Sequence, residues 1–118
     1  MALYAALIYT PDVDWSQTDQ DPELNEYVQF SAAAESIIRG GNVLYPTSTA
    51  TTVHRVGGKD GDVVTSDGPY TETKEVLAGF YLLECADLDE AISWAARIPA
   101  TWQGGQVEVR PVIPQRRG

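Results

Sequence analysis

Nine consecutive residues, DGPYTETKE at positions 67 to 75, gather three carboxylates, one ammonium group, a phenol and two hydroxyls. In such a set Asp67 could serve as a general base, and Lys74, close to Glu72 and Glu75, could bind an anionic substrate. The plainer reading is a solvated bend. Asp67-Gly68-Pro69 can turn tightly with its carboxylate accepting backbone N–H groups, and the charges beyond it then form exposed ion pairs worth under about 1 kcal/mol. Tyr9, at the end of an apolar run, could bring its phenol to the same place, as could Tyr27, Tyr81 or the Phe80 ring; an aromatic on a strand is otherwise core. Arg110, between Val109 and Pro111, points either into an interface, where it would pair with an acid such as Asp67 or grip a carboxylate ligand, or out to water. The catalytic candidates are Asp67, Lys74 and Tyr9.

His54 and Cys85 are the only histidine and cysteine. Histidine is the residue type best suited to general-base work near neutral pH, but no serine or cysteine is tied to His54 by spacing, and it reads as a solvent-facing strand residue. Cys85 lies beside Glu84 and Asp87, which do not supply the positive setting a reactive thiolate needs, and it reads as a small buried apolar residue. One of each leaves too few soft ligands for a structural zinc site, and a hard cation held by carboxylates is an open but unsupported alternative; neither a metal nor a cofactor is expected. Gly57-Gly58-Lys59 lacks the spacing of a phosphate-binding loop.

The 118 residues, 43% of them hydrophobic, suit one domain over 1–118, with 113–118 as a flexible tail. A net charge of −9 disfavours contact with phosphate backbones, so nucleic acid is not an expected partner; Arg116 and Arg117 read as a solubility feature. No apolar run reaches the roughly 20 residues of a membrane span. MALYAALIYTP lacks a positive flank and reads as a first strand, which leads to the expectation of a cytoplasmic protein.

The elements that must position these groups follow from local rules. Leu3 to Tyr9 predicts a strand stopped by Thr10-Pro11. Trp15 anchors a polar loop. Asp21-Pro22 starts a helix, with Leu24, Tyr27, Val28, Ser31, Ala34, Glu35 and Ile38 on one side and Gly40-Gly41 as its end. Extended stretches at 42–45 and 49–56, the turn 57–61 and the run 62–66 predict a hairpin, and 79–85 a strong strand. Asp87 and Glu90 form a capping box for a helix with Leu88, Ala91, Ile92, Ala95 and Ala96 on its inner side. Residues 106–112 predict a last strand, with Pro111 at an edge or end. The order β-α-β-β, loop, β-α-β predicts an α+β fold of the ferredoxin-like, split β-α-β kind with an added hairpin. Helices on one side leave the other sheet face open, and a second copy is the economical cover, so a homodimer is expected, with a pouch near residues 67–75.

The segments LIYT, RGG, TATTV, TSDGPYTETKEVLAGFYLLECADLDEAISWAARIPA and VEVRPV resemble the YCII-related family, and within it the DGPF-domain group, over about residues 2–113. The resemblance implies a dimeric α/β barrel of ferredoxin-like units. Family members that resemble enzymes carry a histidine in the first helix and an aspartate in a turn after the second; the matching places here are near Tyr27 and at Ile98-Pro99-Ala100, so that pair is not carried over. DGPY replaces DGPF, and Tyr70 keeps the ring while adding a hydroxyl. The group's association with alternative sigma factors implies a regulatory protein partner. The expectation is thus a dimeric small-molecule-binding or regulatory module, the alternative an acid–base enzyme of lyase or isomerase type acting on a small anionic or aromatic molecule. Its ligand-binding candidates are Tyr9, Tyr27, Asp67, Tyr70, Glu72, Lys74, Tyr81 and Arg110.

Overall fold

The structure, a computed structural model, describes residues 1–17 and 22–115. Six strands and two helices run in the order β1 (Ala2–Pro11), α1 (Pro22–Ala33), β2 (Ile38–Val43), β3 (Thr51–Val56), β4 (Asp62–Asp67), β5 (Glu75–Cys85), α2 (Leu88–Ala95) and β6 (Gln106–Pro111). Four strands form an antiparallel sheet in the order β2-β5-β1-β6, and β3 pairs with β4 in a separate hairpin inserted between β2 and β5. Without the hairpin this is the ferredoxin-like arrangement, consistent with the α+β expectation. Pro111 closes an edge strand, where its missing N–H removes little.

Along β1 the period of two places Tyr4, Ala6, Ile8 and Thr10 against the helices and Leu3, Ala5, Leu7 and Tyr9 on the opposite face. The helix side is filled by Phe30, Ala34, Leu83, Cys85, Ala91, Ala95 and Ile98, all buried. Each fully buried large aliphatic side chain there contributes about 2 kcal/mol. Phe30 sits 5.1 Å from the Tyr81 ring and 6.5 Å from that of Trp94, fixing α1 over the sheet centre. The body is one sheet and one helix layer, and the molecule is only 20 Å thick in its shortest direction. Its radius of gyration of 16.5 Å exceeds the roughly 13–14 Å of a compact chain this long, because the β3–β4 hairpin stands away from the body.

Two sequence expectations are corrected. The first helix ends at Ala33, not at Gly40-Gly41; residues 34–37 form a turn in which the Ala34 carbonyl accepts from both Ile37 and Ile38, and both glycines lie inside β2. Gly41 has φ +155°, and a Cβ there would stand 2.6 Å from the Phe80 carbonyl oxygen, so the glycine serves close pairing with β5 rather than a helix end. The register shift between Ile38 and Gly40 is the accompanying bulge.

The inner faces of the helices are also narrower than predicted. Val28 is 62% exposed and Glu35 is exposed, whereas Phe30, absent from the predicted stripe, is buried. In α2 the small Ala91 and Ala95 face the sheet, while Leu88 and Ile92 remain about half exposed and Ala96 exposed. Small residues let a helix approach closely, and the larger neighbours then overhang the contact. The Asp87 cap forms as read, Glu90 N donating to Asp87 Oδ1 at 2.9 Å, while the Glu90 carboxylate reaches one residue past the cap and accepts from Ala86 N at 3.3 Å. The Asp21 cap and the Arg116-Arg117 pair lie outside the described residues. No helix among the described residues is long and apolar enough to cross a membrane.

Candidate functional site

Between α1, the short turn at Trp15–Gln17 and the β2–β5 side of the sheet lies a cleft of about 620 Å³. Its floor is the helix-side surface of Ile8, Gly41, Ala78 and Gly79. Gly79 is as constrained as Gly41, since a Cβ there would lie 2.7 Å from the Asn42 carbonyl oxygen. Two glycines in neighbouring strands thus let the strands pair closely and leave the floor bare of side chains. Aromatic rings make the walls: Trp15 and Tyr27 meet edge to face with centroids 6.1 Å apart, and Tyr81 closes one end. Leu44 and Tyr45 form the outer wall.

The polar groups of the lining are neutral: Thr10, Ser16, Ser31 and Asn42 beside the phenols. Ser31 Oγ and Tyr81 OH lie 3.3 Å apart, a long hydrogen bond between two groups that can each donate or accept. Among the described residues no aspartate, glutamate, lysine, arginine or histidine lines this cleft. The arrangement suits a mostly apolar, ring-bearing molecule oriented by a hydroxyl pair.

The outer wall is held from two sides. Leu44 N donates to the Ala78 carbonyl at 2.8 Å. Asp12, just past β1, accepts from Thr47 N at 3.0 Å and also from the Thr47 hydroxyl. These two bonds, the hydroxyl first, hold the Asp12 carboxyl below its ordinary value.

Of the residues singled out in the sequence, the fold brings Tyr27 and Tyr81 together at the cleft, and Phe80 also borders it, although strand alternation sets it on the opposite sheet face from Tyr81. Tyr9 and Arg110 are elsewhere. Tyr9 belongs to the open face of the sheet, and Arg110 pairs in register with Ala5 on that same face, where Leu7 stands opposite both Phe80 and Glu108. Asp67 ends β4 in the hairpin, exposed. Its turn is satisfied by the backbone: Gly68 N donates to the Ala50 carbonyl at 2.7 Å, and the Thr52 hydroxyl donates to the Gly68 carbonyl at 2.9 Å. Tyr70 is 89% exposed, and Glu72 and Lys74 are exposed as well; none of the four lines the cleft. His54 is exposed on β3. Cys85 is buried, and burial followed by the carboxylates of Glu90 and Asp87 pushes its thiol up, so it is an inert core group.

Sequence reasoning missed Thr10, Ser31 as a polar handle, Asn42, Gly41 and Gly79. The available signal was Gly79, a glycine at the head of the run AGFYLLEC, which marks close backbone approach within a strand.

Residues 2–116 match the model of the YCII-related domain. A protein of Rhizobium meliloti (strain 1021), described as uncharacterised, is 34% identical over 122 residues, covering 98% of this chain and 96% of the relative.

Proposed function

The chain belongs to the YCII-related domain family, and we propose that this member, of the DGPF kind, binds a small ring-bearing molecule in the cleft between α1 and the sheet, as one half of a homodimer. The observation that carries the reading is the lining: aromatic residues from separate elements, Trp15, Tyr27, Tyr45 and Tyr81 among them, around a glycine floor, with a single hydroxyl pair to orient what enters. The acid–base alternative has no such support, because Asp67 and Lys74 lie on the exposed hairpin end and loop and Tyr9 faces away from the cleft. A ligand-responsive dimer also fits the regulatory role, next to sigma-factor-dependent transcription, that the family resemblance suggests.

Support for the dimer is the open sheet face. Ala5, Leu7, Phe80 and Leu82 make its centre, with Glu84, Glu108 and Arg110 around them. An apolar centre with charges of both signs at its border can meet its own two-fold copy, apolar on apolar and arginine toward glutamate.

Titration of 15N-labelled protein with indole tests the cleft. Amide shifts at Ser31, Gly41, Gly79 and Tyr81 are expected; shifts confined to residues 67–75, or none, would overturn the reading. Sedimentation equilibrium tests the assembly: a mass about twice 12.9 kDa is expected, falling to the monomer value for Leu82→Asp. A folded monomer at high concentration would remove the dimer and leave the cleft.

A further inference from the structure

We propose that the ligand is an aromatic amine, its ring held beside Trp15, Tyr27 and Tyr81 and its ammonium group drawn to Glu35. The inference rests on the cleft being a binding site and adds the sign of the ligand's charge.

A second, smaller cavity of about 380 Å³ adjoins the cleft. The two share Ser31, Gly41 and Tyr81, so they meet across the loose Ser31–Tyr81 hydroxyl pair. The smaller one brings Glu35, and among the described residues Glu35 is the only charged side chain lining either cavity. It sits four residues after Ser31, in the turn where Ile38 N still bonds the Ala34 carbonyl at 3.1 Å, and so continues the side of α1 that carries Ser31. Among the described residues it has no hydrogen-bond or ion-pair partner.

The nearest cation in sequence, Arg39, is already used. Its guanidinium donates to the Ser36 and Ile38 carbonyls at 2.9 and 3.2 Å and to Glu84 at 3.2 Å. An anionic ligand would therefore find a carboxylate and no cation, inside a chain of net charge −9. A cation gains on each count. The electron-rich face of Tyr81, which borders both cavities, attracts it, the carboxylate pairs with it, and the Ser31 and Tyr81 oxygens can accept its N–H groups on the way.

Tryptamine, indole and indole-3-acetate share one ring and differ in charge at neutral pH, which makes them the probes. Calorimetric titration of the full chain at low salt is expected to rank them in that order, tryptamine about fivefold tighter than indole. In Glu35→Gln, an exposed substitution that leaves the core untouched, tryptamine should fall to indole's level. Equal affinities, a preference for indole-3-acetate, or an advantage of tryptamine that survives Glu35→Gln would each overturn the charge assignment while indole binding keeps the cleft. Failure of all three probes would overturn both.

Discussion

The loop at 67–75 and the cleft beside α1 differ in a way that their sequences invert. The loop concentrates acids, hydroxyls and a lysine in nine residues, yet in space Asp67, Tyr70, Glu72 and Lys74 are exposed, and the bonds made there go to backbone groups, with the Thr73 hydroxyl donating to the Glu75 carbonyl. The cleft draws on positions 8 to 81, most of them unremarkable as residue types, and there glycines, serines and aromatic residues from separate elements converge. Functional groups that are neighbours in sequence on an extended or turning backbone point apart. Convergence needs elements packed on one another, and small residues to make room. The loop is rich in chemistry and poor in geometry; the cleft is the reverse.

The sharpest way to break this contrast is at the floor. Gly41→Ala places a methyl group 2.6 Å from the Phe80 carbonyl at a positive φ, and should cost about 2 kcal/mol of stability in urea unfolding together with the indole shifts. A variant that is fully stable would mean that β2 and β5 do not approach as closely as described. Next comes the wall. Tyr27→Ala removes the ring that meets Trp15 and should weaken indole binding about tenfold with the fold intact, as followed by the same titration.

On the loop side the expected effects shrink. Gly68→Ala meets no atom within 4 Å, so only its φ of +95° opposes the change, costing about 1 kcal/mol; indole affinity should not move. Asp67→Ala should change stability by less than about 0.5 kcal/mol and binding not at all. A loss of affinity in Asp67→Ala with stability retained would return the loop to the binding site and reverse the comparison.

The smallest effect concerns pH. Because the Asp12 carboxyl is held low in the folded chain, its contribution is present above the ordinary carboxylate range and is lost as pH falls through the lowered folded value. Hydrogen exchange at the Thr47 amide should therefore lose protection at acid pH beyond what the intrinsic rate explains, and Asp12→Asn should remove that dependence. An unchanged acid profile in the variant would mean that Asp12 does not hold the outer wall.

Much of the architecture was legible. The Asp87 cap, the hairpin around 57–61, the edge place of Pro111 and the buried Cys85 each follow from a rule acting over a few residues. The Gly40-Gly41 pair was misread because a glycine that ends a helix and one that admits a neighbouring strand look the same until the strand is in view. Tyr27 and Tyr81 were legible as candidates, but not the fact that Tyr9 lies across the sheet from them. Alternation says that Tyr9 and Thr10 face opposite ways; it does not say which side the helices will cover.

By itself the chain's residue pattern determined most of the elements, the Asp87 cap, the turn at 57–61 and the family, since these depend on neighbours within a turn or two. Only the tertiary structure decided where a site could exist. The Ser31–Tyr81 contact joins residues 50 apart, and the bare floor arises only when Gly41 and Gly79 come into adjacent strands. Such long-range contacts are set by packing one whole face against another, and no local propensity encodes them.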